Sequence, residues 1–152
     1  MNACGEGHLA TVYYLIEKGV DKNIADKDGN RPFNWSCIGG DIRIVNFLIG
    51  TGCDTNQCNN IGKTPLMEAC GSGHLSVVNR LIERGADYNV VDNEGNTTFA
   101  WSCLGGNIDI VTFLIENNCD IHKPNNNGKT PLMEACGKGH LSIVKKACRE
   151  RC

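Results

Sequence analysis

The sequence predicts an all-α repeat fold, a solenoid of helix-turn-helix units with projecting β-turn loops. Two observations carry this prediction. The segments Gly29-Asn30-Arg31-Pro32-Phe33, Gly62-Lys63-Thr64-Pro65-Leu66, Gly95-Asn96-Thr97-Thr98-Phe99 and Gly128-Lys129-Thr130-Pro131-Leu132 recur every 33 residues without slippage. A fixed period of this length means one small supersecondary unit stacked on copies of itself. A longer period overlies the first: residues 29–86 match 95–152 at 33 of 58 positions, whereas single units offset by 33 agree far less. Trp35-Ser36-Cys37 returns as Trp101-Ser102-Cys103, and Met67-Glu68-Ala69-Cys70-Gly71 as Met133-Glu134-Ala135-Cys136-Gly137, so a two-unit block has been duplicated. Residues 1–152 thus read as a single repeat domain: a partial unit (1–28), complete units (29–61, 62–94, 95–127) and a C-terminal unit (128–152).

The first unit is entered partway, because Ala3-Cys4-Gly5 and Gly7-His8-Leu9 fall on Ala69-Cys70-Gly71 and Gly73-His74-Leu75. Its apolar face of Leu9, Val12, Leu15 and Ile16 is expected to lack a partner helix, so either the N-terminal turn frays or the chain is cut from a longer protein. In the unit from Gly62, Thr64 is a natural N-cap and Pro65 suits the first helical turn. A helix is predicted over 65–72. After Gly71 and Gly73, Leu75, Val78, Leu81 and Ile82 recur at helical spacing and predict a second helix over 75–84, closed by Gly85 in a left-handed cap. Residues 86–95 are turn-rich and predict an extended loop tipped by a β-turn. Such short helices do not persist alone, so the stack must stabilise them. Val45, Phe47, Leu48 and Ile49, with Val111, Phe113, Leu114 and Ile115, are the predicted inter-repeat core. In the last unit Ala147 and Cys148 replace Leu81 and Ile82, and Lys145, Lys146, Arg149, Glu150 and Arg151 make the helix polar, as a solubilising terminal cap requires.

Charge is near balance, 15 basic against 17 acidic residues, with no long run of either sign. That argues against nucleic acid or an anionic membrane as the main partner. Apolar stretches are too short to span a bilayer, and residues 1–10 do not read as a signal peptide. Of the ten cysteines, Cys4, Cys37, Cys70, Cys103 and Cys136 share one repeat position and are predicted core thiols. Cys53 and Cys119 share a second, just after a helix. Equivalent sites in successive units lie about 10 Å apart, beyond disulfide reach, so a reduced, intracellular and cytoplasmic protein is expected. Cys58, Cys148 and Cys152 follow no repeat rule and are the expected exposed thiols.

The units resemble the ankyrin repeat, with its Gly-x-Thr-Pro-Leu-His helix start, Gly-His between helices and Gly-Ala-Asp-x-Asn afterwards. Gly62-Lys63-Thr64-Pro65-Leu66, Gly73-His74 and Gly85-Ala86-Asp87-Tyr88-Asn89 carry the resemblance, which covers essentially the whole chain. Several positions depart from it. Asn34, Met67, Ala100 and Met133 replace the histidine after Pro-Leu, so weaker links between adjacent loops are expected. Thr98 replaces proline, making the unit at 95 the expected weakest complete one, Asp41 and Asn107 replace the Gly-His histidine, and Asn118 replaces the capping glycine.

Other residue patterns admit ordinary structural roles. Trp35 and Trp101 are expected to pack between adjacent first helices rather than anchor a partner. They share a repeat position with Glu68 and Glu134, which implies that the position touches solvent. His8, His74 and His140 are too far apart to share a metal and are expected to bond between helices. No cysteine pair has zinc-knuckle spacing, so neither metal nor other cofactor is expected. Asn34-Trp35-Ser36 and Asn96-Thr97-Thr98 fit the glycosylation pattern but fall where a glycan would obstruct stacking. No catalytic motif occurs, so no enzyme activity is expected.

The resemblance implies a noncatalytic module that binds a protein partner, of unspecified identity, on the concave face of loop tips and first helices. Carried over position by position, that face comprises Lys27, Asp28, Asn30, Ile38, Asn60, Ile61, Lys63, Ser72, Asn93, Glu94, Asn96, Leu104, Asn126, Asn127, Lys129 and Lys138, with Gly39, Gly71, Gly105 and Gly137 between them. Ile38, Ile61 and Leu104 are its apolar anchors, and a monomer is expected. Two alternatives stay open: a targeting segment of a larger enzyme or channel, and redox sensing through Cys58, Cys148 and Cys152.

Overall fold

The computed structural model describes residues 1–149, and these form ten helices in two rows. The first helices of the units are α1 (Asn2–Gly5), α3 (Pro32–Gly39), α5 (Pro65–Ser72), α7 (Thr98–Gly105) and α9 (Pro131–Gly137). The second helices are α2 (Leu9–Glu17), α4 (Ile42–Gly50), α6 (Leu75–Glu83), α8 (Ile108–Glu116) and α10 (Leu141–Arg149). Each helix packs on its partner within the unit and on its counterpart in the next. Among the described residues, no helix is long and apolar enough to cross a membrane. The predicted 65–72 and 75–84 helices agree with α5 and, to one residue, with α6. An isolated Val91–Thr97 bridge is the only β pairing among the described residues.

Local chemistry fixes the helix ends. Thr64, Thr97 and Thr130 cap α5, α7 and α9 through hydroxyls that accept from Met67, Ala100 and Met133 backbone N–H groups. Asp41 and Asn107, which stand where the other units have histidine, cap α4 and α8 in the same way. Asn118 is the one described non-glycine residue with positive φ, 59°, a conformation asparagine tolerates. The core is a continuous strip in which Val45, Leu48, Val111 and Leu114 are fully buried, as expected, joined by Ile44 and Ile110, which the sequence reading omitted. Phe47, Ile49, Phe113 and Ile115 are partly buried against it.

The ends differ from the interior. Val12 is buried, contrary to expectation, because α2 packs on α4, but Leu15 is exposed and Leu9 and Ile16 are half-buried. Cys136 is exposed, not a core thiol: among the described residues no first helix stacks on α9 as α7 stacks on α5. Ala147 is buried and Cys148 exposed on α10. The readings placed on Glu150, Arg151 and Cys152 lie outside the described residues.

Thr98 occupies the first helical position of α7, where Pro32, Pro65 and Pro131 stand in their units. Its hydroxyl is buried without a hydrogen-bond partner. The preceding Thr97 is already extended, at φ −79° and ψ 164°, as a residue before proline must be. Thr98→Pro should therefore raise stability by about 1 kcal/mol, through a stiffer unfolded chain and the loss of an unpaired buried hydroxyl. Urea denaturation checks this; an unchanged or lower midpoint would contradict it.

Candidate functional site

Two kinds of unit alternate. Trp units (29–61 and 95–127) carry Trp35 and Trp101, and His units (1–28, 62–94 and 128–152) carry His8, His74 and His140. Where a Trp unit follows a His unit, the first helices meet almost backbone to backbone. A Cβ on Gly105 would lie 2.5 Å from the Cys70 carbonyl oxygen, and one on Gly39 2.8 Å from the Gly5 carbonyl carbon. Trp35 and Trp101 lie over Gly5 and Gly71, half-buried, so packing is their role, as expected. Where a His unit follows a Trp unit, His74 Nε2 lies 2.8 Å from the Ile38 carbonyl oxygen and His140 Nε2 3.2 Å from that of Leu104. His8 instead pairs with Glu6 at 3.0 Å.

The loop row that carries the expected partner-binding residues is tied more closely than the sequence alone implies. Backbone N–H groups of Asn60, Asn93 and Asn126 donate to the carbonyls of Asp28, Ile61 and Glu94 one loop earlier. The same asparagines donate through Nδ2 to the Lys27, Asn60 and Asn93 carbonyls. This ladder joins consecutive loops in the absence of the histidines after Pro-Leu.

A second row was missed. Asp26, Asn59, Asp92 and Asn125 share one repeat position, and nine residues later stand Trp35, Glu68, Trp101 and Glu134. Asp26 and Asp92 each accept an indole N–H at 2.9 Å. Asn59 instead donates to Glu68 at 3.3 Å and to Asn30 at 2.8 Å, and Asn125 donates to Asn96 at 2.8 Å. The alternation of acid with Trp and amide with Glu was present in the sequence as a 66-residue pattern.

These bonds revise the proposed face. Asn30 and Asn96 are buried, not available to a partner, because their side chains serve this network. Lys63 is largely buried too: its ammonium pairs with Glu68 at 2.9 Å and sits 3.7 Å from the centre of the Trp101 ring, a cation–π contact. Glu68 is itself buried, although the sequence reading set its position against solvent. Lys27, Asp28, Asn60, Ile61, Ser72, Asn93, Glu94, Asn126, Asn127, Lys129 and Lys138 are exposed, and Ile38 and Leu104 are half-buried. Ile38 lines a groove with Asn2, Gly5, Glu6, Trp35 and Gly39. A second groove runs between loops, lined by Lys27, Asp28, Asn60, Ile61 and Lys63.

The indole N–H of Trp35, assisted by backbone N–H groups of Asn30 and Asp28, holds the Asp26 carboxyl below its ordinary value of 3.8. A depressed folded-state value adds stability above the unfolded pKa, and that stability is lost as pH falls through the folded value. Asp26→Asn should therefore lower the denaturation midpoint at pH 7, and the gap to the parent chain should narrow below about pH 4. A gap constant across that range would contradict the assignment.

Burial pushes the thiols of Cys37 and Cys70 far up, Cys103 to about 12 and Cys119 to about 11. These are inert core groups. Cys58 and Cys148 are exposed, as expected. Both asparagines of the glycosylation-like triplets, Asn34 and Asn96, are buried. Among the described residues, no cluster of three His, Cys, Asp or Glu side chains could hold a metal ion.

A family model described as ankyrin repeats (3 copies) matches residues 1–92 and again residues 87–150. No curated protein matches the chain.

Proposed function

Because the chain belongs to the ankyrin-repeat family, whose members are generally protein–protein interaction modules, we propose that it holds a protein partner on its concave face without catalysing a reaction. The observation that carries this reading is the row Asp28, Ile61, Glu94 and Asn127. These four occupy one repeat position, at the loop tips, and all are exposed. The carbonyls of the first three are fixed by the asparagine ladder, while the four side chains differ: two acids, one aliphatic group and one amide. A fixed frame with varied projecting groups suits selective recognition. Ile61, 57% exposed, is the natural apolar anchor, with Ile38 and Leu104 on the adjoining first helices.

The test is a pull-down from native lysate with the parent chain and Ile61→Asp side by side. The substitution should change stability by less than about 0.5 kcal/mol, being on the surface, yet remove the captured partner. Equal capture by both chains would move the site off this face. Ile38→Asp and Leu104→Asp, at half-buried positions, should cost about 1 kcal/mol each in addition to binding.

A further inference from the structure

The asparagines of the loops are nearly all consumed by the fold, and one is not. Asn60, Asn93 and Asn126 donate through Nδ2 to carbonyls one loop earlier. Asn30, Asn59, Asn96 and Asn125 bond to one another or to acids. The Asn127 side chain is exposed and makes no hydrogen bond; only its backbone N–H is engaged, with Asn125 Oδ1 at 3.0 Å. The equivalent Asp28, Ile61 and Glu94 are exposed inside the array, so this exposure belongs to the repeat position. Asn127-Gly128 is also the only Asn-Gly pair in the chain. We propose that Asn127-Gly128 is a self-modifying site, at which the Gly128 backbone nitrogen attacks the free Asn127 amide and water opens the resulting ring to aspartate or isoaspartate.

The step needs only water. A bond forms between Gly128 N and Asn127 Cγ, the Cγ–Nδ2 bond breaks, and the Gly128 amide proton leaves with the ammonia. Water then adds to the cyclic imide at Cγ, giving aspartate, or at the backbone carbonyl carbon, giving isoaspartate. Glycine is the residue whose nitrogen is least hindered for this attack, having no side chain. Asn60, Asn93 and Asn126 are followed instead by Ile61, Glu94 and Asn127, and their own amides are held. What restrains Gly128 N is the turn bond it donates to the Asn125 carbonyl at 2.9 Å, and exposed loop tips open such bonds at little cost. The product adds an acid to the row Asp28, Ile61, Glu94 and Asn127. In its isoaspartate form it also lengthens the backbone between Asn125 and Lys129, which close the loop through bonds of 2.9 and 3.0 Å. The chemistry does not depend on that row binding a partner, and its test reads none.

The full chain is held folded at mildly alkaline pH, sampled over time, resolved by anion exchange and mapped by peptide mass. A denatured sample in guanidinium sets the intrinsic rate. An acidic form should accumulate, its formal net charge moving from −2 to −3, with most of the new acid at Asn127. The folded chain should convert within about tenfold of the denatured rate, as a locally opening loop allows. Asn127→Gln, which keeps the amide but must close a larger ring, should not form the acidic species. A folded chain that stays unconverted while the denatured one converts would overturn the proposal. So would acid spread evenly over Asn60, Asn93, Asn126 and Asn127, or the same acidic species arising from Asn127→Gln.

Discussion

Gly39→Ala and Gly105→Ala are each expected to lower the melting temperature by roughly 5–10 °C, although each adds only a single methyl group. Neither glycine is required for its dihedral angles, since both lie within helices, at the ends of α3 and α7. On propensity alone alanine would be better by about 1 kcal/mol. What decides the sign is the neighbour. At Gly105 the added Cβ would be 2.5 Å from the Cys70 oxygen and 2.7 Å from that of Gly71, and at Gly39 it would meet the Gly5 carbonyl group equally closely. Backbone cannot swing aside as a side chain can, so the helices must separate. Overpacking of this kind costs about 1–3 kcal/mol or more, and separation would also lift Trp35 or Trp101 off Gly5 or Gly71. A loss of about 2–3 kcal/mol after the propensity gain corresponds to the temperature shift stated, at about 2–4 °C per kcal/mol for a chain of this size.

Gly50→Ala is the matched control. Gly50 also ends a helix, and nothing lies within 4 Å of its Cβ position, so alanine there should stabilise by about 0.5–1 kcal/mol. Calorimetry on the three variants decides the matter: Gly39→Ala and Gly105→Ala melting within 1 °C of the parent would show that the first helices yield freely.

This junction also marks how far the sequence could be read. The repeat period, the helix limits and the His74 and His140 bonds were legible because each rests on a local signal repeated at fixed spacing. The close approach at Gly39 and Gly105 was not, since a helical glycine beside Gly40 or Gly106 reads as one more turn residue. Asn30 and Asn96 misled for a related reason. Asparagine at a loop tip signals both a turn and an exposed polar surface, and only the neighbouring loop shows that its amide is consumed. Lys63 looked like a surface cation until Trp101, from the next unit, was found over it. Contacts between units at offsets of 29 to 38 residues leave no periodic trace separate from the repeat itself. The exception is the Asp/Asn and Trp/Glu alternation, which needed the 66-residue period to be compared column by column.

That alternation yields the second large effect: Asp92→Asn, nearly isosteric, should cost about 2–3 kcal/mol. Asp92 is buried and receives four donors. Its Oδ1 accepts backbone N–H groups from Glu94 at 3.0 Å and Asn96 at 2.8 Å, and its Oδ2 accepts Trp101 Nε1 at 2.9 Å and Asn96 Nδ2 at 3.0 Å. Asparagine offers one oxygen and one NH2 group. Whichever way the amide is turned, its NH2 faces two donors, and flipping it merely exchanges the loop's backbone pair for the Trp101 and Asn96 pair. Loss of bonds to a charged acceptor, with buried donors left unpaired, supports a cost of this size. Asn96 also accepts from Asn125 at 2.8 Å, so the disturbance should pass to the next loop. Replacing Trp101 by Glu in the Asp92→Asn background would recreate the amide–acid pairing that Asn59 makes with Glu68. In a double-mutant cycle by urea denaturation, Asp92→Asn and Trp101→Glu should therefore be less destabilising together than the sum of the two alone, by about 1 kcal/mol. A neutral Asp92→Asn, or strictly additive losses, would mean that acid and amide are interchangeable here and that the alternation has no energetic basis.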